Sequence, residues 1–274
     1  MSNLDDVRRE LARANRILAH EDVLDAFGHV SVRHPDDPGR YLLSRSRGPE
    51  LVQADDILEF TLDSEPVVPS TRRLYSERVI HGCIYQVRPD VNAVVHHHAP
   101  SIMPFVIAGV DLLPVFHLGA TMGAKAPFWD SRDEFGDTSL LVIKPEEGRS
   151  LARALGPHAM VLMRRHGATV VGDDLHQVIF RSIYSARNAE HQWRAHALGN
   201  VGPLTAGEAS LGAAHNLQPG PVERAWEYWS GRLDKTEALV AAATAAKPAP
   251  RARAAARSKP RKVVKKTGRK RRSR

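Results

Sequence analysis

The chain is 274 residues long, with 42% hydrophobic and only 6% aromatic residues, which suits one large globular domain or two small ones rather than a fibrous or membrane-embedded chain. Its formal charge of +8 is unevenly placed: residues 247–274 hold 14 of the 39 Lys and Arg and none of the 31 Asp and Glu, so residues 1–246 carry 25 basic against 31 acidic side chains. No stretch approaches the roughly 18 consecutive apolar residues of a membrane span, MSNLDDVRRELAR lacks the apolar centre of a secretory leader, and the single cysteine, Cys83, excludes an internal disulfide. A cytoplasmic protein is expected.

In chain order, LDDVRRELARANRILAHEDVLDA places Val7, Leu11, Ile17 and Leu18 near one side of a helix running from Leu4 to about Ala26. GHVSVRHPDDPGRYLLSRS alternates as two short strands around a Pro/Asp/Gly turn. A strand over Asp55 to Phe60 and a tight turn at Asp63-Ser64-Glu65 follow. Ser76 to Arg88 reads as a helix stopped at Pro89, and Asn92 to His98 as a strand carrying Val94 and Val95. Ser101 to Val110 is a helix or buried segment, Arg149 to Leu155 a short helix ended by Gly156-Pro157, and His158 to Met163 an apolar strand running into Arg164-Arg165-His166-Gly167. Asp173 and Asp174 offer caps for a helix from about Leu175 to Leu198. A last amphipathic helix, about Pro221 to Ala243, contains Trp226, Tyr228 and Trp229. Strands and helices are mixed without the regular alternation of a doubly wound parallel sheet.

From residue 247 the composition changes to Ala, Pro, Lys and Arg with few large apolar residues. Such a segment cannot bury enough surface to offset its ordering entropy, so 1–246 is expected to be the folded domain and 247–274 a disordered basic tail. The tail reads as a solvated appendage; the functional alternatives are a nucleic-acid arm or a contact with anionic surfaces.

The stretch VVHHHAP holds three adjacent histidines, His96, His97 and His98. Strand alternation puts His96 and His98 on one face and turns His97 to the other. An H-x-H pair on a strand can present two imidazoles to one ion, although two ligands alone do not distinguish a metal site from a structural pair. His166, in RRHGATVVG, ends an apolar strand beside a glycine that allows close backbone approach. Glu77 opens the helix before the histidine strand, as a metal ligand, an acid/base, or simply an acidic residue favoured by the helix dipole. Three imidazoles and one carboxylate together match a catalytic divalent-metal site.

GHVSVR, SERVIHGCIYQVRPDVNAVVHHHAPS and LMRRHGATVVG, in that order, resemble the class II aldolase/adducin family across about residues 4–230. The resemblance implies a three-layer α/β/α fold around a mostly antiparallel sheet, a homotetramer, and one divalent metal ion per subunit. It assigns His96, His98 and His166 as metal ligands and Glu77 as acid/base. His81, four residues after Glu77 and on the same helix face, falls on the family's helical histidine and reads as a positioning residue.

The chain departs from the sugar-phosphate enzymes of the family where they hold phosphate. His29 replaces the asparagine of the G-N-x-S turn, and the following loop reads Ser44-Arg45-Ser46-Arg47. Arginine forks suit carboxylates as well as phosphates, while a merely solvated loop is the alternative. LLSRSRGPELV, RPDVNAVVHHHAPSIMPF and PVFHLGA resemble a narrower branch, the decarboxylases of hydroxy-aromatic or pyridine dicarboxylates and carboxymuconic semialdehydes. His117 of PVFHLGA matches a branch histidine that either reaches the pocket or is structural. The expected function is metal-dependent, non-oxidative decarboxylation of a small hydroxy or enol dicarboxylate in aromatic catabolism. The resemblance favours Mn²⁺, and thiolate-free His/carboxylate ligation is equally compatible with Zn²⁺, Fe²⁺ or Co²⁺. His29, Ser44, Arg45, Arg47 and His117 are the expected substrate-binding residues. The alternatives are a sugar-phosphate aldolase or epimerase, a non-haem iron oxygenase, and a non-catalytic binding module like adducin.

Overall fold

The computed structural model describes residues 4–245. Helix α1 (Leu4–His20) buries Leu11, Ile17 and Leu18, as its spacing predicts, but stops six residues before Ala26. Asp22 adopts a left-handed φ of 57°, and the N–H groups of Asp22 and Val23 donate to the carbonyls of Ala19 and Leu18. This is the Schellman arrangement, with aspartate where glycine is usual.

Strands β1 (His29–Arg33), β2 (Arg40–Ser44) and β3 (Ile57–Thr61) form a meander. Asp55 and Asp56, expected in the third strand, lie instead in a 3-10 turn over Ala54–Asp56. A second 3-10 turn, Ser76–Arg78, leads into α2 (Val79–Val87), and β4 (Ala93–His97) follows. Next come α3 (Met103–Ala108), β5 (Phe128–Trp129), α4 (Arg132–Phe135) and α5 (Pro145–Leu155). α5 starts four residues before the predicted Arg149, with Pro145 at its first turn and Glu146 and Glu147 beside its N-terminus. β6 (Met160–Met163) and β7 (Gly167–Gly172) form a hairpin, and α6 (Leu175–His196) begins at Asp174, whose carboxylate accepts from Gln177 N–H. α7 (Ala206–Asn216) and α8 (Pro219–Ala245) complete the described chain.

The seven strands form one sheet in the order β3-β2-β1-β4-β7-β6-β5, antiparallel except for the parallel β5–β6 edge. One face packs against α1, α3, α6 and α8 through residues such as Leu18, Phe105, Val95, Val170, Ile179 and Trp229. The other packs against α2 and α5 through Ile80, Ile84, Val94, Leu151, Leu155 and Val171. Val94 and Val95 thus serve opposite layers, and the three-layer α/β/α architecture is the one the resemblance implies. The chain divides into two compact units, 1–235 and 236–274. In the second, the described residues 236–245 are helical, with Leu239 and Val240 exposed. The basic stretch 247–274 lies outside the described residues. No helix among the described residues is long and apolar enough to cross a membrane.

Candidate metal centre

The three middle strands, β1, β4 and β7, carry or flank the histidines. β4 pairs with β1 and β7 in a register that sets His96 opposite both His29 and Thr169. His96 follows the α2-facing side of Val94 and is fully buried, with Nδ1 3.3 Å from Thr169 Oγ1. His98 leaves the strand on the same side. His97 is turned to the opposite face, where its Nδ1 accepts the Ala99 N–H at 3.2 Å. His166 stands in the turn between β6 and β7, after Arg165 at a left-handed φ of 53°. A Cβ at Gly167 would sit 2.2 Å from the His97 carbonyl and 2.8 Å from the His98 ring, so only glycine lets this turn approach so closely.

Glu77 is not yet in a regular helix. Its φ/ψ of −92°/17° breaks the path from the 3-10 turn into α2, and its Oε1 accepts the Val142 N–H at 2.9 Å. One ligand atom from each of Glu77, His96, His98 and His166 lies within 4.8 Å of all the others. His96 Nε2 is 3.1 Å from His98 Nε2, 3.8 Å from Glu77 Oε2, and His166 Nε2 is 3.4 Å from Glu77 Oε1. Two nitrogens bound at 2.0–2.1 Å to one tetrahedral ion stand about 3.4 Å apart. Among the described residues neither buried ring nitrogen of His166 makes a hydrogen bond, Nε2 meeting Glu77 only at ion-pair distance, an expense a native interior avoids unless another group engages them. Burial, then the neighbouring imidazoles, lower the pKa of His96 and His98, which keeps their lone pairs free for a cation. The donor set therefore fits one divalent ion.

Behind this cluster runs a second line of buried polar groups. His29 Nδ1 lies 2.6 Å from His81 Nε2, His81 Nδ1 2.5 Å from Ser31 Oγ, and Ser31 Oγ 2.8 Å from the Tyr85 hydroxyl. The His29 ring also lies 5.3 Å from that of His96 and 4.6 Å from that of Tyr75. Burial holds His81 down at about 3, and burial followed by the nearby His81, His98 and His166 holds His29 well below the usual histidine value. Gly28, with φ at 87°, would carry a Cβ 2.8 Å from the His96 carbonyl, so the entry to β1 also needs glycine.

Residues 9–193 match the family described as the class II aldolase and adducin N-terminal domain. The chain belongs to the class II aldolase/adducin family. It is 33% identical over 235 residues to decarboxylase tropJ of Talaromyces stipitatus, covering 78% of this chain and 88% of that protein. It is 29% identical over 191 residues to 3,4-dihydroxyphthalate decarboxylase of Arthrobacter keyseri, covering 64% and 73%. Its fold is similar to that of L-fuculose 1-phosphate aldolase from Glaciozyma antarctica PI12, with a TM-score of 0.71 at 18% identity over 86% of this chain and 91% of that one.

In this class II aldolase/adducin protein, a cleft of about 440 Å³ opens beside the cluster, its wall including His29, Arg47, Tyr75, Glu77 and His98. The two loop arginines share one partner. Arg45 Nε and Arg47 Nη1 donate to the two oxygens of Asp56 at 2.6 and 2.7 Å, and Gln53 N–H donates to it at 2.9 Å. Arg47 reaches the cleft wall; Arg45 is not part of it. Ser44 is buried and donates to the Tyr75 hydroxyl at 3.3 Å, and that hydroxyl in turn donates to the Arg47 carbonyl. His117 lines a different cavity of about 490 Å³, with Tyr184, His215, Arg224, Tyr228 and Trp229. The sequence reading passed over Ser31, Tyr85, Asp56 and Val142. Ser31 was legible from strand alternation and Tyr85 from its place four residues after His81. Asp56 and Val142 gave no signal, because their roles depend on tertiary contact alone.

Proposed function

We propose that the chain is a divalent-metal-dependent decarboxylase of a small acid carrying a hydroxyl or enol oxygen beside the carboxylate it loses. Aromatic, pyridine and ring-cleavage dicarboxylates are the substrate class. The observation that carries the reading is the convergence of Glu77, His96, His98 and His166 at a cleft sized for a small molecule. The decarboxylase names of relatives aligned with most of this chain favour loss of CO₂ over aldol cleavage.

His96, His98 and His166 would hold the ion through neutral imidazoles; a thiolate-free set of nitrogen and carboxylate donors is compatible with Mn²⁺, Zn²⁺, Fe²⁺ or Co²⁺, and the family resemblance favours Mn²⁺. Such an ion, when bound, supplies a Lewis acid next to the oxygen on which charge collects as CO₂ departs. Glu77 is the acid/base. With Oε1 held by the Val142 N–H, Oε2 is the oxygen left to pass a proton to the carbon that loses CO₂. Arg47 holds the carboxylate that is retained: Asp56 takes its Nη1, while Nε and Nη2 have no hydrogen-bond partner among the described residues. Tyr75, fixed by Ser44 and the Arg47 carbonyl, closes the wall over His29. A cytoplasmic homotetramer is the proposed state, to be measured by analytical ultracentrifugation.

The experiment is a CO₂-release screen of hydroxylated dicarboxylates, 3,4-dihydroxyphthalate first, with Mn²⁺ and with a chelator. Metal-dependent CO₂ release is expected. An aldehyde and ketone from a sugar phosphate without CO₂ would assign aldol chemistry instead, and O₂ consumption with Fe²⁺ would assign an oxygenase.

A further inference from the structure

The line His29–His81–Ser31–Tyr85 runs from the cleft wall into the layer beneath α2. All four side chains are buried, and among the described residues none makes a side-chain hydrogen bond outside the line. Every proton in it can be placed by starting at the far end. Tyr85 is a phenol, protonated at neutral pH, and a buried O–H that failed to donate would be unsatisfied. Its one partner is Ser31, so it donates to Ser31 Oγ. Ser31 has one proton and one remaining neighbour, so it donates to His81 Nδ1. A neutral His81 that accepts at Nδ1 carries its proton on Nε2 and donates to His29 Nδ1. His29 then carries its own proton on Nε2, the ring nitrogen outside the line.

The charged alternative fails on the same count. A cationic His81 donates from both nitrogens, which turns the Ser31 proton toward Tyr85 and leaves the phenol proton without an acceptor in a fully buried position. A cationic His29 donating to His81 Nε2 forces the same reversal.

We propose that this line holds His29 as a neutral Nε2–H donor at the cleft wall, where it hydrogen-bonds a carboxylate oxygen of the substrate rather than accepting a proton. His81, Ser31 and Tyr85 are positioning residues that set its tautomer from behind. Proton transfer then falls to Glu77, the one carboxylate lining the cleft among the described residues. The substrate half of this inference rests on the decarboxylase reading; the tautomer does not.

The test reads the ring itself. In the full chain, labelled with ¹⁵N-histidine and loaded with diamagnetic zinc, long-range proton–nitrogen correlations separate the two neutral tautomers. The His29 signals are assigned by their loss in His29→Gln, and the Nε2–H form is expected. An Nδ1–H form or a charged ring overturns the proposal, whatever the protein catalyses. Ser31→Ala, checked for folding by circular dichroism, is expected to release His29 into a mixture of tautomers. A pure Nε2–H signal in that folded variant would mean that the line does not set it. For the donor role the probe is phthalate, a dicarboxylate with no hydroxyl to support CO₂ loss, titrated by calorimetry. His29→Gln keeps an N–H donor and is expected to bind within about threefold of wild type, and His29→Leu about ten- to a hundredfold more weakly. Equal binding by the leucine variant, or no binding by wild type, overturns the donor role. No arm reads CO₂ release, so failure of the decarboxylase reading is recognised separately.

Discussion

Replacing Asp56 by Asn tests how the arginine loop is held. The carboxylate is nearly buried, with 6% of its side chain exposed, whereas Arg45 and Arg47 keep 30% and 31%. Three donors converge on it, and a hydrogen bond to a charged group contributes about 1.5–3 kcal/mol. An asparagine amide keeps one acceptor oxygen but points an NH₂ at the other guanidinium, so at least one charge-assisted bond is lost. The arginines, about a third exposed, regain hydration, which offsets part of the loss. The expected cost is about 2–4 kcal/mol, or a Tm lower by about 5–12 °C for a chain of this size. The pH dependence has a definite sign. Burial acts to raise the Asp56 pKa, but the hydrogen bonds from Gln53, Arg45 and Arg47 outweigh it and hold it below the ordinary carboxyl value. Its contribution is therefore complete above the unfolded-state pKa of about 3.9 and is lost as pH falls through the folded value. Urea titrations of wild type and variant at one protein concentration should show a constant gap from pH 5 to 8 that narrows below about pH 4. A variant within 2 °C of wild type by its melt (about 0.5–1 kcal/mol), or a gap that widens on acidification, would refute the argument.

His166→Ala should leave a folded protein that no longer retains a divalent ion through gel filtration, read by elemental analysis; a full equivalent of metal in the variant would remove His166 from the ligand set. Glu77→Gln preserves an acceptor for the Val142 N–H, so the melt should stay close to wild type while turnover drops about 10²–10⁴-fold. Unchanged turnover would end its acid/base assignment. Gly167→Ala forces the turn away from the His97 carbonyl and should cost about 2–4 kcal/mol together with weaker metal retention, checked by urea unfolding and metal analysis on the same sample.

Alternation alone separated His96 and His98 from His97, because a strand with a period of two has no freedom in where its side chains point. Asp174 announced α6 through its capping chemistry. Other elements were legible in principle and passed over: Thr205-Ala-Gly-Glu208 is a capping box at the start of α7. β7 hid for a different reason. Its GATVVG begins and ends in glycine, residues that weaken a strand pattern, yet both glycines are required by contact, Gly167 with His97 and Gly172 with Val178. The arginine loop shows the boundary of such reading. The sequence offered Arg45 and Arg47 as two forks for a substrate, and both instead reach one partner. That the partner is Asp56, leaving Arg47 alone at the cleft wall, follows from the fold of a 3-10 turn and from no local pattern.

β4 is the fourth of seven strands, with three on either side, and it carries both the apolar contacts of two layers and the histidines. A slip of one residue in its pairing would exchange His96 with Val95 and empty both layers at once. The histidine positions and the hydrophobic interior are thus written on the same ladder, so a change that reshapes one through the backbone disturbs the other. The Arg45–Pro49 loop and the stretch that brings Val142 to Glu77 are set by no strand pairing, so the cleft wall can change there without moving the ladder. In this chain the Glu77–histidine cluster is tied to the sheet, and the loops around it are the part that can vary without moving it.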